Sequence, residues 1–279
     1  MPKKTVLITG AGQGIGQAIA FRFASDGSNI VIISKDTAAQ IQETIEGIES
    51  AGGKALAFEA DVRNFDELKK IVNDTADHFG SIDLLINNTS APYFNDSLHT
   101  LPEQFDLVIS TSVRSAFFLS QLCFPYLKKS PNPHIINIAP PLHFELQNLK
   151  DHLPFSLGKY GMSLCTLGMS EEFKSSEIAV NALWPQTNIA TQRLKDHLSP
   201  LVYSGSRFPS IIADAAYEIS RKTFYEATGQ FFIDECLLRE AGISDFSCYA
   251  VDPTHPLVQT LFLPLKEGMI PISKELFRL

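Results

Sequence analysis

The sequence predicts an α/β domain, a doubly wound parallel sheet in a single domain, and three observations predict it. Runs of strand length are apolar at nearly every position. They alternate with stretches of helical periodicity over the first two thirds of the 279 residues. A glycine-rich turn joins the first apolar run to the first helix. A strand that is apolar throughout is buried on both faces, which implies a parallel sheet covered by helices, and repeated β-α-β alternation supplies the covering layers.

The elements follow in order. Thr5-Val6-Leu7-Ile8 reads as the first strand and Ile15 to Ala24 as the first helix. Ile30-Val31-Ile32-Ile33 precedes a helix over Ala38 to Ala51, and Ala55-Leu56-Ala57-Phe58 leads to one over Phe65 to Phe79. Asp83-Leu84-Leu85-Ile86 opens onto the long segment from Glu103 to Lys129. Ile135-Ile136-Asn137-Ile138 and Ile178 to Leu183 bracket a helix over Phe155 to Lys174. After Pro185 the pattern loosens. Residues 186–208 read as a long variable loop, followed by a helix from Ile211 to Arg221 and a last strand at Phe231-Phe232-Ile233. The tail 242–279, rich in proline and aromatic residues, is expected to pack on the body.

Composition narrows the function classes. An apolar fraction of 44% with 19% charged residues is ample for a core. Acidic residues outnumber basic ones 31 to 23, for a net charge of -8. Phosphate backbones and anionic membrane surfaces would be repelled, so neither nucleic acid nor a membrane is an expected partner. The apolar stretch from Phe117 to Leu127 is too short to cross a bilayer. Met1-Pro2-Lys3-Lys4 runs straight into a strand and leaves no room for a secretory core. Cys123, Cys165, Cys236 and Cys248 are scattered without metal-ligand spacing, so reduced thiols, no metal and a cytoplasmic location are expected.

The turn Thr9-Gly10-Ala11-Gly12-Gln13-Gly14-Ile15-Gly16 carries the first chemical signal. Glycines there permit positive φ, let the backbone reach a pyrophosphate and let the helix pack close to the strand. The helix N-terminus adds free N–H groups and a positive dipole end. A G-x-G-x-x-G by itself is a tight βα turn, but a strand before it and a helix after it point to dinucleotide binding. Residues 1–100 are then mainly the cofactor half. At the end of the second strand, where a carboxylate would grip the ribose diol of NAD, stands Lys35, followed by Asp36. A cation there suits a 2′-phosphate, which favours NADP(H) over NAD(H). Asp36, one residue on, could still turn inward, and Lys35 could instead be a solvated loop lysine.

Further motifs resemble the short-chain dehydrogenase/reductase family over nearly the whole chain. Beside the Thr9–Gly16 loop stand Asp61-Val62, Asn87-Asn88-Thr89-Ser90 and Val180-Asn181-Ala182-Leu183-Trp184-Pro185. The stretches His134 to Pro141 and Lys159-Tyr160-Gly161-Met162-Ser163 are similar to a hydroxysteroid dehydrogenase-like subgroup. Members of that subgroup can carry a C-terminal sterol-carrier domain, which these 279 residues do not include. The resemblance implies a Rossmann-type fold and a homo-oligomer, dimer or tetramer, through the helices near 103–129 and 155–174. It also implies cofactor contacts from Gly10, Gly12, Gln13, Gly14, Ile15, Gly16, Lys35, Asp61, Val62, Asn87, Lys159 and Pro185.

The family's chemistry uses a Tyr, a Lys four residues later, a Ser after the fifth strand and an Asn on the long helix. Here the Tyr position falls on Phe155 and the Lys on Lys159. The Ser position falls on Ala139 or Pro140, and the Asn position on Ser112. Of the four, Lys159 alone is retained. His143 and His152 border the expected cleft, and either could take over the lost acid. Two readings stand side by side. One is an NADP(H)-dependent oxidoreductase acting on a small apolar carbonyl/alcohol pair, with 186–208 as its substrate loop. The other is a nucleotide-binding pseudoenzyme with an interaction or regulatory role.

Overall fold

Val and Ile dominate the apolar runs, and they build the centre of the sheet. β1 (Thr5–Thr9) and β2 (Asn29–Ser34), separated by α1 (Gly14–Ala24), are buried along their whole length. After α2 (Ala38–Ser50) comes β3 (Lys54–Glu59), exposed at both charged ends as suits an edge strand. α3 (Phe65–Phe79) leads to β4 (Leu84–Asn87). The long helical run is α4 (Pro102–Ile109), a wide π-helical turn over Ser110–Arg114, and α5 (Ser115–Leu127). β5 (His134–Ile138), the short α6 (Leu146–Leu149), α7 (Leu153–Glu172) and β6 (Ala179–Trp184) follow. Then come α8 (Gln192–His197), α9 (Pro200–Ser204), α10 (Ser210–Arg221), β7 (Phe231–Ile233), α11 (Asp234–Glu240), β8 (Val258–Gln259) and β9 (Ile270–Pro271). The computed structural model describes residues 3–144 and 146–272. Met1-Pro2 and the last seven residues of the predicted tail, 273–279, lie outside that description.

Seven strands form one parallel sheet in the order β3-β2-β1-β4-β5-β6-β7. Strand alternation divides the core in two. Val6, Ile8, Ile30 and Ile32 face Ile19 and Phe23 of α1 and Ile212 of α10. Leu7, Val31 and Ile33 face Leu68 and Val72 of α3 and Leu119 of α5. Burying each such side chain stabilises the fold by about 1.5–3 kcal/mol. The reversal of strand order between β1 and β4 opens a crevice at the carboxyl ends of the strands.

The structure departs from the sequence expectations in three places. The apolar run near Phe117 belongs to a helical stretch of 26 residues, Pro102–Leu127, long and apolar enough by composition to cross a membrane. Here α5 packs on α3, α7 and the sheet. Residues 186–208 are no open loop: Thr191 caps α8 by accepting from the Leu194 N–H at 3.2 Å, and Pro200 starts α9. Helices of six and five residues are too short for periodicity to reveal. The tail, which follows α11, adds a parallel β8–β9 pair. It is stitched to the variable segment by Asn188 N–H to Val258 O (3.0 Å) and Thr260 N–H to Gln186 O (3.3 Å).

Candidate active site

The β1–α1 turn is shaped by close approach. Gly14 has φ +61, where L side chains are strained. A Cβ on Gly16 would lie 2.4 Å from the Gly10 carbonyl oxygen, so only glycine lets α1 start this near the turn. Gln13, at the N-cap, makes no side-chain cap, and the first turn of α1 holds no acid. The free N–H groups and positive dipole end therefore remain available to an anion. Asn88 buckles the turn from beneath, donating through Nδ2 to Thr9 O (2.9 Å) and Gly10 O (3.2 Å). Thr9 Oγ1 accepts the N–H groups of Asn88 and Thr89, both at 3.0 Å.

The turn opens into a cleft of about 1090 Å³ that brings together Gly10, Gln13, Gly14, Ile15, Lys35, Asp61, Val62, Lys159 and Pro185. Gly12 and Gly16 shape the turn without lining the cleft. Asn87 does not line it either, contrary to expectation. Its amide donates to Asn137 Oδ1 (2.8 Å) and Ser120 Oγ (3.3 Å) inside the protein, and Asn88 faces the cleft instead. On the adenine side, Asp36 turns inward: a Cβ on Gly12 would sit 2.6 Å from its Oδ2, and Gln13 Nε2 donates to its Oδ1 at 2.6 Å. Lys35 reaches the other way, to Asp61 Oδ2 at 2.9 Å. Arg63 binds the same carboxylate and holds it well below the usual range, with Lys35 adding to the effect.

At the inner end, α7 begins at Leu153 and sets Phe155 and Lys159 one turn apart on one face. Lys159 is 3% exposed; its Nζ donates to Ile138 O at 2.8 Å and lies 5.4 Å from the Trp184 ring centre. Burial pulls its ammonium down to about 7. Phe155 is enclosed by aromatic groups, with Phe94 edge-on at 5.1 Å and Phe262 stacked at 5.9 Å. His152 lines the cleft, edge-on to Phe94 at 5.9 Å. His143 does not line it; its carbonyl accepts the Tyr160 hydroxyl.

The remaining expected positions sit behind the wall. Ser112, in the π-helical turn, is 1% exposed and its Oγ has no hydrogen-bond partner. It faces Gly158, where an added Cβ would come within 3.2 Å of that Oγ, so it packs on α7 next to Lys159. Ala139 is packed among Ala116, Met162 and Ala182, away from the cleft, and Pro140 is likewise buried and does not line it. Ile138 does line it, and alternation past the strand end turns the next side chain away.

Sequence reasoning gave the variable segment to the cleft as its substrate loop but missed the tail's share of the far wall. Ile189, Thr191, Leu194 and Leu198 come from the variable segment, and Thr260, Leu261 and Ile272 from the tail. Arg193 Nη1 reaches Ser90 O across the cleft mouth at 3.3 Å. Trp184 Nε1 donates to Leu261 O at 2.9 Å and fixes the tail against β6.

A glycine turn opening α1, a crevice at the β1/β4 switch and a Lys one turn along α7 define a nucleotide-binding α/β domain. Residues 4–199 match the short chain dehydrogenase family, and the chain belongs to it. Hydroxysteroid dehydrogenase-like protein 2 of Rattus norvegicus is 44% identical over 97% of the chain. The chain spans 52% of that relative's length. A crystal structure from Xanthomonas campestris is 41% identical, covers 94% of the chain and 98% of its own length, and superposes with a TM-score of 0.90. A short chain dehydrogenase from Mycobacterium thermoresistibile is 35% identical over 96% of the chain and 99% of its own, with a TM-score of 0.88.

Proposed function

We propose that the chain is an NADP(H)-binding oxidoreductase of this family, acting on a small apolar carbonyl/alcohol pair with a tetrad reduced to Lys159. The observation that carries the reading is the cleft itself, with the Gly10–Gly16 cradle at one end and the buried Lys159 ammonium at the other. The contact at Gly16 leaves no room for a Cβ, and the uncapped α1 N-terminus fits a pyrophosphate. Lys159 would hold the nicotinamide ribose hydroxyls, and Lys35 would meet the 2′-phosphate. When bound, the nicotinamide supplies or takes the hydride. Phe94, Phe155 and Leu261 wall the adjacent space, exclude water and favour an apolar ligand. The proton on the substrate oxygen then has to come from His152, from Lys159 or from water.

A second reading is favoured by one observation: the Phe155 ring stands where the family places a hydroxyl. In that reading the chain binds the nucleotide but barely turns over, and acts through an interaction or a regulatory role. In either reading the exposed Phe105, Phe117, Leu157 and Leu164 on α4, α5 and α7 support a homo-oligomer, dimer or tetramer. The free cysteines support a cytoplasmic setting.

Cofactor choice is tested by thermal shift. NADP(H) should raise the melting temperature more than NAD(H), and Lys35→Asp should reverse the order. Equal shifts unchanged by the substitution would remove the preference. Lys159 gives a second test with two opposite signs. Lys159→Met should weaken cofactor binding by roughly 1.5–3 kcal/mol, the value of a charge-assisted hydrogen bond. It should also raise the melting temperature of the cofactor-free chain near neutral pH. The native state holds this amine at about 7, below its ordinary 10.5, so the unfolded chain binds more protons between those values. Wild-type stability should therefore rise with pH across that window and lose the rise in Lys159→Met. An unchanged dissociation constant and an unchanged pH slope would put Lys159 outside the site.

A further inference from the structure

Asp61 holds two cations at once. Lys35 Nζ and Arg63 Nη2 both reach its Oδ2, at 2.9 and 2.6 Å, and Arg63 Nε reaches Oδ1 at 3.0 Å. The side chains of Lys35 and Arg63 are 69% and 41% exposed at the rim of the cleft, beside Gln13 and Asp36. The other nearby acid, Asp36, is already engaged by Gln13 Nε2 and Ser34 Oγ. Arg63 is braced from behind: Arg114 Nη1, in the π-helical turn, donates to its carbonyl at 2.8 Å. Asp61 is fixed in place as well, because its Oδ1 accepts the Arg63 N–H at 3.0 Å.

Two cations converging on one carboxylate oxygen make a pair that a phosphate can take over. A phosphate brings more charge and three acceptor oxygens, and its bonds to a guanidinium are charge-assisted. We propose that Asp61 is an internal stand-in for the 2′-phosphate of the cofactor, and that Arg63 is a second specificity-determining residue beside Lys35. This rests on the cofactor reading above and extends it to two residues. Binding of the phosphorylated ribose exchanges the Asp61 ion pairs for ion pairs to phosphate. The unphosphorylated nucleotide leaves the Asp61 ion pairs in place. Discrimination is then the difference between a phosphate and a carboxylate at the same two cations.

The experiment is calorimetry with NADP+, NAD+ and the fragments 2′,5′-ADP and 5′-AMP, on the wild type, Arg63→Gln and Asp61→Asn. Asn at 61 keeps an oxygen for the Arg63 N–H while removing the charge that competes for the two cations. Asp61→Asn should tighten NADP+ and 2′,5′-ADP by about fivefold, the scale of an exposed ion pair. It should leave NAD+ and 5′-AMP level or weaker. Arg63→Gln should weaken the two phosphorylated ligands by about tenfold and flatten the salt dependence of their binding. If Asp61 serves only the adenine, Asp61→Asn weakens all four ligands alike, and that outcome overturns the proposal. So does an Arg63→Gln variant that leaves the NADP+/NAD+ ratio unmoved. Either result, with Lys35→Asp still reversing cofactor preference, removes this inference and leaves the cofactor reading standing. If no nucleotide binds the wild type, both fall. Far-ultraviolet circular dichroism on each variant separates loss of binding from loss of fold.

Discussion

Phe155→Tyr together with Pro140→Ser should raise NADPH oxidation with apolar ketones and aldehydes by roughly 10² or more, the scale of general acid–base help. The wild type should show little turnover on the same panel. The tyrosine hydroxyl would stand on the face of α7 that carries Lys159, whose buried ammonium would draw its pKa down. The serine partner is a choice between two positions, Ala139 and Pro140, and each is tested in turn. Ala139 is sealed among Ala116, Met162 and Ala182, so a hydroxyl there would be enclosed away from the cleft. Pro140 is buried behind the same wall, so neither position lines the cleft as the chain stands. Ala139→Ser with Phe155→Tyr is the parallel variant, and recovery of turnover in either combination meets the expectation. Ordinary wild-type turnover that survives mutation of both His143 and His152 would refute the account of a missing acid. Turnover lost on mutating His152 alone would make the chain an enzyme with a relocated donor.

Gly14→Val should abolish the thermal shifts from both NADP(H) and NAD(H) while leaving the chain folded. Gly14 sits at φ +61, a region that a β-branched residue occupies only under strain. Its Cβ would also press on Thr191 Cγ2 at 3.1 Å, from the segment that closes the cleft. The branched side chain would fill the space the pyrophosphate needs. Retained shifts in a folded Gly14→Val variant would place the nucleotide somewhere other than this turn.

The central architecture was legible because each central strand is apolar at nearly every position and each flanking helix is long. Phe65–Phe79 carries its own punctuation, with Asn64 capping its start and Gly80 at φ +80 ending it. The cradle was legible for a different reason: glycines at fixed offsets are the direct trace of backbone crowding. The far wall was legible only in part, as the loop 186–208. Its residues lie in and beside the six-residue α8 and in a tail whose partners are distant in sequence. Asn87 and Asn88 show the same limit at finer scale. Which of two adjacent asparagines faces the cleft depends on where β4 ends. The charge pattern around Asp61 was equally hidden, since Lys35 and Arg63 meet only after β2 and β3 pair.

Trp184 has a consequence of its own, because the chain contains a single tryptophan. Its indole lies between the Lys159 ammonium at 5.4 Å and the Phe262 ring at 5.8 Å, with Nε1 tied to the tail. All indole emission from this protein therefore arises at the inner end of the cleft. A charge beside the ring shifts its excited-state dipole energy, and a change in the Nε1 hydrogen bond shifts it again. Protonation at Lys159, arrival of a nicotinamide ring and release of the tail should each change the colour or yield of that light. The protein thus carries an unlabelled optical gauge of its own site, with no second indole to dilute the signal.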